Sequence, residues 1–199
     1  MTTLLNKVLS AIDAVNREDT NLSRAHGTPP VPKELVYGQR MTACLLDHWP
    51  DADELLQIAV RGQHIKRWHL KRSEFEPGKT GYYQWRIALG KFHGELCASI
   101  MIEQGYNSVQ AELVSSVVRK DNFRQNAMGQ TLEDVACLVF LEHYFDEFSG
   151  KYIAVNNEAK IVRIVQRTWG KMSERGHELA LQLELPQHLA LLIKKALAS

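Results

Sequence analysis

Apolar residues recur at helical spacing through most of the chain, and no stretch of useful length alternates as a strand does. Leu4, Leu5, Val8, Leu9, Ile12 and Val15 predict a first amphipathic helix ending near Asn16. Residues 17–33 change character: Asp19, Thr20, Asn21, Ser23, Gly27, Pro29, Pro30 and Pro32 predict a long irregular crossing. Crossings of that length in a compact domain are often functional. A second helix is expected from about Glu34 to His48, stopped by Trp49-Pro50, with Tyr37, Met41, Cys44 and Leu45 on one side. Asp51 is expected to cap a third helix that continues through Gln63 and His64 to Trp68. After a glycine-containing loop, a fourth runs from near Tyr82 to Gly105 with Trp85, Leu89, Phe92, Leu96 and Ile100 as its stripe. Asn107 and Gln110 open a fifth.

The strongest apolar signal lies in Gln130–Phe148, where seven residues from Val135 to Leu141 carry no polar side chain. A helix apolar on every face must be buried on every face. Thr131 is its expected N-cap, with Asp134 able to reach back to it. The run is too short to cross a membrane. Helices at Glu158–Trp169, Ser173–Leu183 and Gln187–Ala198 complete the pattern, with Pro186 as the last break. The expected fold is all-α, a single helical domain over 1–199. Its N-terminal helix and crossing cover 1–33, its core 34–148 and its C-terminal helices 149–199.

Composition adds little to this and removes several alternatives. Apolar content of 45% and charged content of 24% are those of an ordinary globular protein, and the formal net charge of +1 gives no global field toward nucleic acid or acidic lipid. Cys44, Cys97 and Cys137 sit far apart inside apolar helical patterns, so buried free thiols and a cytoplasmic home are expected, with no membrane partner. Nucleotide-binding glycine loops, HExxH, CxxC and GxSxG are missing from the sequence.

Three places carry candidate chemistry. The first is Arg61-Gly62-Gln63-His64-Ile65-Lys66-Arg67-Trp68, where helical spacing sets His64 among cations and an aromatic ring. That pattern suits a ligand or acid–base histidine beside phosphate-holding guanidinium groups; the plain alternative is a solvated basic face. Contact with RNA through Ile65–Arg72 ranks below both, because no stacking pattern or known motif accompanies it. The second is His93, at the edge of the fourth helix's stripe, where a hydrogen-bonded core histidine is the ordinary reading. Glu133 and Asp134 at the start of the apolar helix either cap it or do chemistry.

The segments GQRM at 38–41, GQHIKRW at 62–68, KFHGE at 91–95 and TLEDVACLVFLEHY at 131–144 together resemble a small domain-of-unknown-function family. That family in turn is similar to the HD superfamily of metal-dependent phosphohydrolases, all-helical proteins whose metal is held by a His, an adjacent His-Asp pair and a later Asp. Gln63-His64 stands where the His-Asp pair would be, Gln39 or a neighbour where the first histidine would be, and only Asp134 matches in kind and place. The resemblance implies an HD-like core and a divalent metal held by His64, His93 and Asp134, with Glu133 in reserve. His64 and Asp134 would be the catalytic pair. Arg40, Arg61, Gln63, Arg67 and Trp68 would bind substrate, a phosphorylated small molecule or nucleotide. The competing reading is a non-catalytic helical module that keeps the fold and the basic pocket for a ligand or partner. A homo-oligomer is compatible with either.

Overall fold

In the computed structural model, residues 3–23, 29–155 and 157–198 are described. Gly27 of the expected crossing lies outside them. The order of helices is α1 (Leu4–Asn16), α2 (Lys33–His48), α3 (Glu54–Gly62), α4 (Gly78–Gln104), α5 (Ser108–Arg119), α6 (Ala127–His143), α7 (Phe145–Ile153), α8 (Glu158–Trp169), α9 (Glu174–Leu181) and α10 (Gln187–Leu197). Short 3₁₀ turns occupy Arg67–His69, Arg72–Glu74 and Phe123–Gln125. Within the crossing, β1 (Leu22–Ser23) pairs antiparallel with β2 (Val31–Pro32), the single sheet among the described residues. The protein is all-α, and no helix among the described residues is long and apolar enough to cross a membrane. Cys44, Cys97 and Cys137 are free and buried.

The chain divides into two compact units, Met1–Leu132 and Glu133–Ser199. In the first, α4 packs along α5, and α3 packs against both and against α1 and α2. Two glycines allow this closeness. A Cβ added at Gly62 of α3 would lie 2.3 Å from the Cys97 sulfur of α4, and one at Gly94 of α4 would lie 2.8 Å from the Ser115 carbonyl oxygen of α5. The buried stripe of α4 is Leu89, His93, Cys97, Ile100 and Met101. It runs at four-residue steps, so His93 stands in the middle of the stripe rather than at its edge. Asp13 of α1 takes a fork from Arg61 of α3, Nε at 2.8 Å and a terminal nitrogen at 2.9 Å. The other terminal nitrogen of Arg61 donates to Thr42 Oγ1 of α2 at 2.9 Å. One side chain thus ties three helices. Asp19 holds the crossing down: Oδ2 accepts the backbone N–H of Glu34 at 3.1 Å, while Oδ1 accepts from Asn21.

The second unit takes its core from α6 onward. Val135, Leu138, Val139, Leu141 and Phe145 are each at most 1% exposed, while Ala136 and Phe140 are half-buried. Here α8 packs against α7 and α10. The expected helix through Phe148 breaks at Tyr144 into α6 and α7. Its cap also moves. Asn126 Oδ1 accepts the N–H groups of Met128 and Gly129, so α6 starts at Ala127 and Thr131 is already inside it, donating to the Ala127 carbonyl at 3.0 Å.

Candidate functional site

Helix α3 stops at Gly62 instead of running to Trp68. Asp53, not Asp51, caps its start by accepting from the Leu56 N–H at 2.8 Å. Past Gly62 the chain folds into a tight turn. Lys66 takes a left-handed backbone (φ 52°), and its N–H donates to Asn16 Oδ1 of α1 at 3.0 Å. This turn, rather than a helix face, presents the histidine cluster. Ile65 points inward and is fully buried, His64 lies beside it, and Arg67 opens the following 3₁₀ turn.

A cavity of about 60 Å³ lies among this turn, α4 and the end of α5, lined by Gln63, His64, Arg67, Arg86, His93 and Lys120 with a few neighbours. It has room for a few waters or one phosphoryl-sized group. Each side chain reaches it for a local reason. Arg86 and His93 are seven residues apart on α4 and share a face. Arg67 is held over the Trp85 ring at 5.2 Å, and Trp85 is itself fixed by donating to the Leu70 carbonyl at 3.0 Å. Lys120 ends α5 in a left-handed conformation (φ 65°).

The two histidines meet here with ring centroids 6.1 Å apart. His64 stacks on Tyr37 of α2 at 4.3 Å, and its Nδ1 faces Glu34 Oε2 at 3.5 Å. His93 Nδ1 lies 2.7 Å from the Ile65 carbonyl oxygen, which can only accept, so Nδ1 carries the proton. His93 Nε2 is buried with no hydrogen-bond partner among the described residues. Burial, reinforced by Arg67 and Arg86, pushes the His93 pKa down to about 3 against the help of the Ile65 hydrogen bond. Burial first, then Arg67 and His93, lowers that of His64 well below the ordinary range. Both rings are therefore neutral near pH 7. Burial raises the Glu34 pKa to about 7 against the pull of Arg67. Burial likewise lowers that of Arg67, partly offset by Glu34. The cavity is thus basic, with one half-ionised carboxyl set behind its histidines.

Other expected site residues go elsewhere. Arg61 does not line the cavity; its guanidinium is engaged by Asp13 and Thr42, because the end of α3 at Gly62 turns it toward α1 and α2. Arg40 on α2 and Trp68 do not line it either, while Gln63, buried, does and receives the Tyr37 hydroxyl at 3.5 Å. Glu133 and Asp134 belong to the second unit. Glu133 faces Lys171 Nζ at 3.5 Å. Asp134 accepts the Ser173 N–H at 2.8 Å and the Ser173 hydroxyl at 2.5 Å, bracing the N-terminus of α9. Among the described residues, no group of three or more His, Cys, Asp and Glu side chains is arranged to hold a metal ion. Arg86 was not among the expected site residues, although its seven-residue spacing from His93 on a predicted helix was a usable signal. Glu34 and Lys120 reach the site only through tertiary packing.

A family model described as a domain of unknown function, DUF4202, matches residues 6–193, and the chain belongs to that family. No curated protein and no solved structure matches it.

Proposed function

We propose that this DUF4202 chain binds a phosphorylated small molecule or nucleotide by its phosphoryl group, in the basic cavity of the first unit. The observation that carries the reading is the gathering of Arg67, Arg86 and Lys120 around a space of phosphoryl size, next to two neutral imidazoles. Neither Arg67 nor Arg86 forms an ion pair among the described residues, and the low-dielectric surroundings strengthen attraction for an entering anion. At about 60 Å³ the cavity has room for the phosphoryl group. Three buried free thiols support a reducing compartment, and we place the protein in the cytoplasm.

Arg86→Met tests this. Titration calorimetry with inorganic phosphate at low ionic strength should show one site on the wild-type chain. The variant should lose on the order of ten- to a hundred-fold in affinity, the usual effect of one charge-assisted contact. Equal affinities, or no binding by the wild type at millimolar phosphate, would refute the reading.

A second reading is the metal-dependent phosphohydrolase of the HD resemblance. The Nε2 of His93, without a hydrogen-bond partner among the described residues, favours it, since a metal-binding histidine commonly anchors its other nitrogen on a carbonyl. The donor set does not fit as it stands. A bound metal ordinarily takes at least three protein ligands, and no such group occurs among the described residues. With that donor set the cavity suits a binding module. Stoichiometric metal in the purified protein, surviving dialysis, would reverse that preference.

A further inference from the structure

The cavity offers a ligand two kinds of partner, and the second restricts what the ligand can be. Arg67, Arg86 and Lys120 supply positive charge and donors. His93 supplies the opposite. Its ring is 3% exposed and lines the cavity, and its Nδ1 edge is committed to the Ile65 carbonyl. The neutral ring, which lines the cavity, therefore keeps a lone pair on Nε2, a buried nitrogen without a hydrogen-bond partner among the described residues. A buried acceptor left without a donor carries its full desolvation penalty. A ligand that merely adds acceptor oxygens beside it leaves that penalty in place and sets two lone pairs facing each other. A ligand with a hydroxyl proton removes it.

Resting on the phosphoryl-binding reading above, we propose that the anion recognised here carries a proton on one of its own oxygens and donates it to His93 Nε2. Orthophosphate and the monoanion of a phosphate monoester meet this requirement. Sulfate and phosphodiesters, which hold no proton near neutral pH, do not. The sign of the expected discrimination is informative. Charge alone would favour sulfate, which is at least as negative as phosphate at neutral pH and similar in shape. Preference for phosphate therefore reports the acceptor and not the field. The same requirement argues against a nucleic-acid backbone as the ligand, since its diesters have no proton to give.

The test is titration calorimetry of the full chain with phosphate, arsenate and sulfate at neutral pH and matched ionic strength. Phosphate and arsenate, both protonated there, should bind on the order of ten-fold or more tighter than sulfate. His93→Phe, which keeps a ring and removes the lone pair, should shrink that gap to about two-fold. Arg86→Met should weaken all three anions in step and leave the gap intact. Sulfate binding as tightly as phosphate to the wild-type chain overturns the inference even if the His93 variant fails to fold. So does a gap that survives His93→Phe. If all three anions bind equally, the phosphoryl-site reading stands without this refinement; if none binds, both fall.

Discussion

Replacing Asp13 with Ala is expected to destabilise the protein by about 3–5 kcal/mol. The carboxylate and the Arg61 guanidinium are only 12% and 13% exposed, and they meet in a two-point fork at 2.8 and 2.9 Å. Removing the acid leaves a desolvated guanidinium whose remaining partners among the described residues are Thr42 Oγ1 and, at 3.5 Å, the Gly38 carbonyl. An unpaired buried charge is costly because burial removes the water that would otherwise stabilise it. The site is also mechanically central, since the fork joins α1 to α3 and Thr42 adds α2. The double change Asp13→Ala/Arg61→Met, which leaves neither buried charge behind, should cost less than Asp13→Ala alone. Urea unfolding of both variants checks this. A loss below about 1 kcal/mol for Asp13→Ala would place the pair among ordinary surface ion pairs.

The second large effect is acid sensitivity. His64 and His93 are held neutral in the folded state, with the His93 pKa at about 3 and that of His64 well below its ordinary 6.5. Below pH 6.5 the unfolded chain takes up protons at these positions and the folded chain does not, so stability falls as pH falls. Each such proton contributes about 1.4 kcal/mol per pH unit. Glu34 acts in the opposite sense. Its folded pKa of about 7 exceeds its ordinary 4.5, so between those values the folded state binds the extra proton and gains stability as pH falls. Two histidines against one carboxyl leave net destabilisation on acidification, steeper below pH 4.5, where Glu34 no longer compensates. The wild-type curve of stability against pH should therefore be steeper than that of His93→Phe by about 1.4 kcal/mol per unit between pH 6 and 4. Parallel curves would mean that His93 protonates as readily folded as unfolded.

The helices were legible because their apolar spacing is regular and their ends carry strong local signals. The Asn107–Gln110 capping box forms on α5, and Gly105 takes the left-handed conformation that ends α4. Local signals misplace an end when a tertiary partner decides it. Helix α3 ends at Gly62, where Cys97 leaves no room for a side chain, and beyond it Asn16, on another helix, captures the Lys66 N–H and holds the turn. That single difference rearranges the site. With the helix continued to Trp68, Arg61, His64 and Arg67 share a face; with the turn, Arg61 goes to Asp13 while His64 and Arg67 go to the cavity. The four-residue stripe of α4 was present in the sequence as Leu89, His93, Cys97 and Met101, but the neighbouring spacing of Trp85, Leu89, Phe92, Leu96 and Ile100 is equally helical and more apolar, and it sets His93 at the edge. What no spacing rule supplies is the approach of Glu34, from just beyond the crossing, and of Lys120, at the end of α5, to a turn between α3 and α4.

Side-chain nitrogen NMR on isotope-labelled histidine, recorded while inorganic phosphate is added, tests most directly whether the basic cavity is an anion site. In the free chain, His93 should show a protonated Nδ1 and a lone-pair Nε2. Saturating phosphate should shift the Nε2 signal toward the hydrogen-bonded range and perturb His64. His177, whose ring stacks on Trp169 in the second unit, should stay unchanged. Spectra in which neither His93 nor His64 responds, or in which only exposed histidines such as His188 do, would contradict the account.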